Sequence, residues 1–196
     1  MKQAITAIMR KIESEGYLNP LDAPKGRVKE LCRKTCFEEN KVGKRLRLNN
    51  RGTQVLNAHL ALDHILSVFL NDQFISDATV RTDRMAFNQK AELLYSLGIL
   101  SSEKLYWAKK VNSLRNKLAH ELDFRVSDED VKEFVDHFES VVDDKLLERL
   151  PFAHALMIVV MGVEADRIRS LSYDVERHLS MLNARRVLDD VDYAGR

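Results

Sequence analysis

The sequence is poor in the residues that interrupt helices. Its 196 residues include only 7 Gly and 3 Pro, the two residue types that most often mark turns. So few of them argue against a fold of many short strands and favour a few long helices. The apolar pattern shows no internal repeat and no sustained alternation of the kind that strands produce. We therefore predict an all-α protein, arranged as an antiparallel helical bundle in which short loops join successive helices.

Cysteine is scarce as well, and no apolar run is long. Cys32 and Cys36 are too few for the disulfide framework of a small secreted protein. A zinc site needs about four ligands, and no second Cys/His pair of suitable spacing follows. We predict free, buried thiols, with no metal and no cofactor.

The most apolar stretch, Phe152–Val163, has 12 residues, whereas a membrane-spanning helix needs about 20. Met1–Gly16 is polar and amphipathic and does not have the pattern of a signal peptide. We therefore expect a cytoplasmic protein without a membrane partner, and a buried helix over Phe152–Val163.

Charge is distributed unevenly, although the net charge is only +1. Residues 1–51 contain 13 Lys and Arg against 6 Asp and Glu, while the rest of the chain has 18 against 24. A basic segment beside an acidic body can contact nucleic acid. It can equally pair with acidic groups of its own chain or of a partner. The sequence leaves both roles open.

Apolar spacing divides the chain into three parts. Residues 1–49 are predicted to be a basic helical segment, residues 50–150 a helical bundle, and residues 151–196 a C-terminal extension of one or two helices. In the basic segment we expect helices over Met1–Glu15 and about Arg27–Phe37. The strongly basic region 40–51 is predicted to be a linker or a solvated helix start.

The bundle helices have recognisable ends. Gly98 is suited to end a helix in the left-handed conformation, and Ser101 and Ser127 are suited to cap the starts of the next two. Three bundle helices are predicted at residues 53–70, 86–97 and 101–120. A fourth is predicted to begin at Ser127 and to carry Val141 and Val142 among its apolar residues.

The most informative motif lies at the end of the helix predicted for 101–120. Arg115, Asn116 and His120 place a guanidinium, an amide and an imidazole within six residues. Arginine binds a phosphate with two parallel donors, and histidine exchanges protons near neutral pH. These groups suit a protein that binds or cuts a nucleic-acid backbone.

The same residues also have a purely structural interpretation. Asn116 and His120 can bond the last carbonyls of the helix, and Arg115 can pair with Glu121 or Asp123. On an ideal helix Arg115 and His120 are about 140° apart, whereas Asn116 and His120 share a face. One motif supplies a single imidazole, so catalysis would need two copies across a symmetric dimer.

Other groups of residues give weaker signals. His59 and His64, with Asp63 between them, suggest a metal site, but their spacing differs from the i,i+4 pair of helical metal sites, and we do not predict one. The arginines of the final helix either extend a basic groove or form a solvated face. They are Arg167, Arg169, Arg177, Arg185 and Arg186.

The stretch Leu94-Tyr-Ser-Leu-Gly-Ile-Leu-Ser-Ser-Glu and the motif Leu114-Arg-Asn-Lys-Leu-Ala-His120 resemble the HEPN superfamily of small α-helical domains. Its members carry an Arg, a polar residue and, four to six positions after the Arg, a His near the end of a bundle helix. Arg115, Asn116 and His120 match this pattern. The resemblance covers roughly Asn50–Leu150 and implies a HEPN-like bundle with additional N- and C-terminal helices.

The resemblance also implies a function. Many HEPN domains are similar to metal-independent endoribonucleases of toxin–antitoxin and phage-defence systems, and they commonly form homodimers in which two Arg/His motifs face one cleft. For this chain it implies that Arg115 and His120 are catalytic, that Asn116 supports them, that RNA or a nucleotide is bound, and that a cognate antitoxin is a possible partner. Some toxin members carry a Tyr two residues after the His, where this chain has Leu122.

The superfamily implies an alternative as well. Other members keep the fold but act as nucleotide-binding or protein-interaction modules, and a related-looking helical group acts in transcriptional regulation. The alternative function is therefore a non-catalytic regulator or adaptor that binds a protein partner or nucleic acid, through the basic segment 1–49.

Overall fold

The computed structural model describes residues 2–74, 81–136, 138 and 150–194, with the backbone alone for 189–194. Within these ranges the chain forms α-helices and short 3₁₀ turns and contains no β-strand, so the all-α prediction is confirmed. The helices are α1 (Gln3–Ser14), α2 (Lys25–Cys32), α3 (Glu39–Leu46), α4 (Arg51–Gln73), α5 (Phe87–Ser96), α6 (Ser102–His120), α7 (Asp128–Asp136) and α8 (Phe152–Ala194).

Helix α4 lies at the centre of the fold. It contacts α1, α3, α5, α6 and α8, and Asn50 caps its start by accepting a hydrogen bond from the Thr53 amide (2.9 Å). A helix with apolar residues on most of its circumference is buried on most sides. Its fully buried apolar residues are Val55, Ala58, Leu62, Ile65, Leu66, Phe69 and Leu70.

Among the described residues, two hydrophobic clusters form the core. The larger cluster is built around α4 and includes Leu46 of α3 and apolar residues of α5, α6, α7 and the first part of α8. The smaller cluster joins α1 and α2 to the middle of α8 through Leu171 and Val175. Core contacts therefore cross both predicted segment boundaries, at 49/50 and at 150/151.

Helix α8 is a single helix of 43 residues, so one helix forms where we predicted one or two. Its first part, Phe152–Val163, is largely buried in the larger cluster, as the apolar run predicts. Among the described helices, none is both long enough and apolar enough to cross a membrane.

The predicted helix ends in the bundle agree closely with the structure. Gly98 has φ +71° directly after α5. The Ser101 hydroxyl accepts from the Lys104 amide (3.4 Å) at the start of α6, and Ser127 and Asp130 exchange hydrogen bonds at the start of α7. The predicted continuation of α7 to 141 and 142 lies outside the described residues.

The structure corrects two details of the N-terminal segment. Helix α2 ends at Cys32 and does not reach Phe37. Region 40–51 is not a linker, because it contains most of α3. Most residues of α3 are exposed, as in a solvated helix, but Leu46 is buried to 1% exposure. Val42 and Leu46 are four residues apart and both pack against the larger cluster, which is enough to anchor a two-turn helix.

The two cysteines are free thiols. Cys32 is buried at the end of α2, as predicted, whereas Cys36 is half-buried in the loop that follows. Burial, together with the nearby Glu164 carboxylate, raises the pKa of Cys36 to about 12. A thiol of such high pKa is protonated at neutral pH and is a poor nucleophile.

A buried ion cluster ties α8 to α4 and to the loop after α2. Arg167 is only 4% exposed, and its guanidinium donates to both carboxylate oxygens of Glu164 (2.8 and 2.7 Å). It also donates to Asp72 Oδ2 (2.9 Å) and to the Lys34 carbonyl oxygen (2.9 Å). Glu164 accepts a further bond from the Cys36 amide (2.8 Å).

This cluster overturns one prediction for the final helix. Arg167 belongs neither to a basic groove nor to a solvated face, because its side chain is buried among carboxylates. Arg169, two residues later, does lie on a solvated face, with 74% of its side chain exposed, and pairs with the buried Asp166. Near-neighbours on one helix therefore have opposite environments, which the sequence alone does not reveal.

We predict that Arg167→Met strongly destabilises the protein. The substitution leaves the Glu164 and Asp72 carboxylates in the core without their cation, and breaking a buried pair in this way costs about 3–5 kcal/mol. Arg169→Met removes an exposed guanidinium from the same helix. Its buried partner Asp166 keeps Lys104 (3.7 Å) and the Ser101 amide (3.3 Å), so this variant should lose clearly less stability. Urea unfolding of both variants measures the difference; equal free energies of unfolding would contradict the structural role of the cluster.

Candidate functional site

The Arg115–His120 motif occupies the last turns of α6, which ends at His120. Helix α6 turns Val111 and Leu114 into the core against α4 and leaves Arg115 half-exposed and Asn116 and His120 exposed. The start of α4 runs close to this end of α6. A Cβ atom on Gly52 would lie 3.1 Å from a methyl carbon of Leu118, so glycine at position 52 allows this close approach.

An open groove of about 430 Å³ runs beside the motif. Asn116 and His120 both line it, as their i,i+4 spacing predicts. The remaining lining residues are polar or charged: Asn88, Lys109, Asn112, Ser113, Lys117 and Glu121. Every side chain that lines the groove therefore carries a hydrogen-bonding group, and most of them can donate.

Arg115 lies next to the groove and is not one of its lining residues. Its Nη1 donates a hydrogen bond to Asn116 Oδ1 (3.2 Å). In the described part of the chain no carboxylate pairs with Arg115, so the predicted alternative pairing with Glu121 or Asp123 is not found there. The guanidinium keeps donors available for a ligand.

His120 is equally available. Its ring makes no hydrogen bond to any residue that the structure describes, so the proposed bonding to terminal helix carbonyls is not observed for it. The structure therefore links the three predicted site residues only in pairs. Arg115 touches Asn116, and Asn116 shares the groove with His120, while Arg115 and His120 are not brought together directly.

A second histidine, His59 of α4, belongs to the same region. Its ring stacks on Phe87 with centroids 4.5 Å apart, and its Nε2 bonds Asn112 Oδ1 (3.0 Å). Asn112 is buried at 9% exposure, and its Nδ2 donates to Asn88 Oδ1 (3.1 Å). We call these three residues the His59–Asn112–Asn88 chain, which crosses from α4 through α6 to α5 and ends in the groove.

Sequence reasoning missed the His59–Asn112–Asn88 chain because it considered His59 only as a metal ligand. One signal was present: Asn112, Asn116 and His120 follow each other at intervals of four and therefore form one polar stripe on α6. Nothing in the sequence placed His59 or Asn88 beside that stripe, because they lie on other helices.

The two histidines of α4 have different surroundings. His64 is exposed, and its Nε2 bonds the Cys36 carbonyl oxygen (3.0 Å), whereas His59 bonds Asn112. They do not converge on one point, and within the described residues no group of three His, Cys, Asp or Glu is arranged to hold a metal ion.

Burial lowers the pKa of His59, and the positive charges of Arg115 and Lys90 act in the same direction. The hydrogen bond to Asn112 and the carboxylate of Asp63 oppose this shift without cancelling it. His59 is therefore neutral at pH 7. With Asn112 Oδ1 as its acceptor, His59 Nε2 carries the proton.

A second cationic surface lies on α3. Lys44, Arg45 and Arg47 are exposed, and none of the described carboxylates pairs with them. Two hollows of about 240 and 540 Å³, where α3 meets the start of α8, share Arg47, Ala153 and His154. Elsewhere in the basic segment, cations do pair within the chain, for example Arg27 with Glu15 and Lys2 with Asp174.

Comparison of the chain with protein-family models, with curated proteins and with solved structures finds no match. Because no relative indicates a ligand, the kind of ligand must be inferred from the side chains that line the groove. Two lysines, several amides and one exposed imidazole line the groove, and the Arg115 guanidinium lies beside it. These groups suit an anionic, oxygen-rich ligand. Among the described residues, only one imidazole lines the groove, which limits what a single copy can do in acid–base chemistry.

We predict that His59 titrates below 6.5, the ordinary pKa of histidine. Because the folded state then binds this proton less tightly than the unfolded state, His59 should lower the free energy of unfolding as pH falls from 7 towards 5. NMR titration of the imidazole signals measures the pKa.

Arg115→Met should raise the pKa of His59 only in part, since burial is the larger cause. Arg10→Met, which removes an exposed charge from α1, is the matched control and should leave it unchanged. A His59 pKa at or above 6.5 in the unaltered protein would contradict the described environment.

Proposed function

We propose that this chain is a HEPN-type, metal-independent endoribonuclease that acts as a homodimer, in a cytoplasmic toxin or phage-defence system. One observation carries the proposal. Asn116 and His120 line the same open groove, and Arg115, unpaired with any described carboxylate, is bonded to Asn116. The HEPN-like pattern of these three residues supplies the reaction class.

The groups of the groove suit RNA cleavage by internal transfer. The ribose 2′-oxygen attacks the adjacent phosphorus, a base removes the 2′-OH proton, and an acid protonates the departing 5′-oxygen. The products are a 2′,3′-cyclic phosphate and a 5′-hydroxyl. In this scheme His120 transfers a proton, Arg115 stabilises the charge that develops on the phosphate oxygens, and Asn116 holds the guanidinium or the phosphate in place.

The need for both a base and an acid motivates the dimer. His120 is the single imidazole among the described groove residues, and it is exposed, so a second copy can approach it. A two-fold symmetric pair would bring two His120 side chains and two Arg115 guanidinium groups to one cleft, and such pairs are the commonest oligomers.

We predict that the purified protein cleaves RNA in the presence of EDTA and that His120→Ala lowers the cleavage rate by about 10²–10⁴-fold, the usual contribution of a general acid or base. Arg115→Ala should lower it by a comparable factor, because it removes transition-state charge stabilisation. Cleavage of a labelled oligoribonucleotide, resolved on a gel, gives the rates and shows the cyclic phosphate.

The control is His178→Ala, which removes a partly exposed histidine on α8, outside the groove. It should cleave at the unaltered rate. Mixing inactive His120→Ala protein with unaltered protein should lower activity beyond simple dilution if paired motifs share one cleft. Cleavage that survives His120→Ala, or no cleavage by the unaltered protein, would refute the proposal.

A second candidate function is supported by the α3 surface. Three exposed cations without a described carboxylate partner, Lys44, Arg45 and Arg47, lie within four consecutive residues. They suit a non-catalytic regulator or adaptor that binds nucleic acid or an acidic protein partner. Removal of residues 1–49 is a poor test of this role, because it would strip Leu46 from the core.

Charge reversal on α3 tests the second function without disturbing the core. Lys44→Glu combined with Arg45→Glu should weaken binding to a DNA or RNA duplex by at least tenfold at low salt and flatten its salt dependence, because phosphate neutralisation is lost. Lys25→Glu with Lys29→Glu makes the same charge change on exposed positions of α2 and serves as the control. Equal binding by both double variants would exclude a specific role for α3.

A further inference from the structure

The His59–Asn112–Asn88 chain has a direction, because each of its bonds has a donor end and an acceptor end. His59 Nε2 donates to Asn112 Oδ1 (3.0 Å), and Asn112 Nδ2 donates to Asn88 Oδ1 (3.1 Å). Asn88 is exposed and lines the groove. Since its oxygen is occupied by Asn112, its Nδ2 amide group, which has no acceptor among the described residues, is the end that it offers to a ligand.

We propose that His59, acting through Asn112, holds Asn88 in the orientation that donates a hydrogen bond to a phosphate oxygen of bound RNA. This inference rests on the proposed function of the groove. It adds one residue that touches the ligand, Asn88, and two positioning residues, His59 and Asn112, on helices outside the Arg115–His120 motif.

A positioning residue is needed because an asparagine amide can turn over. Rotation by 180° exchanges its oxygen and its nitrogen, and only the hydrogen-bond partners decide which orientation is kept. If His59 were an acceptor at Nε2, Asn112 would turn, Asn88 would turn with it, and the groove would receive an oxygen in place of an N–H donor. That oxygen would repel a phosphate.

His59 is well held for this task. Its ring stacks on Phe87 at 4.5 Å, with an interplanar angle of 24°. The Nε2–H donates in the neutral ring and in the protonated ring alike, so protonation does not reverse the chain. The charged groups that act on the ring are Arg115 of α6, Lys90 of α5 and Asp63 of its own helix, and none of them replaces Asn112 as the partner of Nε2.

The charges around Asn88 favour a phosphate oxygen as the acceptor. Lys109 and Lys117 line the same groove, with Glu121 as the only carboxylate among its described lining residues. Lys109 pairs with Glu92 (2.7 Å) and Lys117 with Asp130 (3.9 Å). An ammonium group has three N–H donors, so each lysine keeps donors for a ligand. Amide side chains commonly contact the phosphates of a nucleic acid and fix its register without reading the sequence.

Asn88→Asp tests the ligand contact, since it replaces the donor by a charged acceptor of the same shape at an exposed position. RNA affinity is measured by fluorescence anisotropy with labelled oligo(U) and oligo(A), in a His120→Ala background so that the RNA stays intact. We expect Kd to rise by at least about tenfold for both sequences, as for a lost hydrogen bond to a charged group. Asn183→Asp, an exposed change on α8, should leave Kd within twofold.

His59→Phe tests the positioning role. It should weaken binding, because the Asn88 amide is no longer oriented. His59→Gln, whose amide can still donate to Asn112, should restore part of the affinity. His64→Phe, on the same helix, should have no effect. If His59→Phe does not fold by circular dichroism, the Asn88→Asp and His59→Gln results decide.

The outcomes separate the two proposals. If the unaltered groove binds RNA and Arg115→Ala weakens it, but Asn88→Asp and His59→Gln bind normally, the function stands and this inference fails. If the unaltered groove binds neither oligo(U) nor oligo(A), both the proposed function and this inference fail. A loss confined to oligo(U) or to oligo(A) would mean a base contact and would overturn the phosphate assignment.

Nitrogen NMR of the free protein tests the hydrogen bonds without RNA. A proton on Nδ1 of His59, with none on Nε2, would overturn the direction of the His59–Asn112–Asn88 chain.

Discussion

The buried guanidinium of Arg167 is the interaction on which the arrangement of the helices depends. Without water, each of its donors must find an acceptor inside the protein, and the acceptors come from α8 itself, from α4 and from the loop after α2. One cation thus fixes the position of α8 along α4. The cluster holds two carboxylates for one guanidinium, and burial raises the pKa of Asp72 above its ordinary value.

Helix α4 also positions the two helices that form the groove, α5 and α6. Helices α1, α3, α5, α6 and α8 pack against it. Its polar side carries His59 and Asp63, which face α6 and α5. Asp63 binds the nearly buried Lys90 of α5 (2.7 Å), and His59 binds Asn112 of α6. The groove therefore lies against the well-packed centre of the molecule, although Asn116 and His120 themselves stand at an exposed helix end. Placing exposed functional groups on a well-packed foundation keeps their geometry constant.

Sequence reasoning succeeded where the cause is local. Gly98 after α5, Ser101 and Ser127 before α6 and α7, and the shared face of Asn116 and His120 all follow from rules that operate within one or two turns. It failed where a distant partner decides. The burial of Arg167 depends on Asp72, which is 95 positions away, and the role of His59 depends on Asn112, 53 positions away. Such pairings are properties of the packed fold.

The length of α8 has a consequence for how the protein opens. This one helix contributes its first turns to the larger cluster and Leu171 and Val175 to the smaller one, so the two cores share an unbroken ladder of backbone hydrogen bonds. Subglobal opening of α1 and α2 would uncover the middle of α8 and its ladder, but it would leave the groove and its foundation closed. Amide hydrogens around residues 171–175 should therefore exchange sooner than those near Val160, and a single helix would carry two levels of protection.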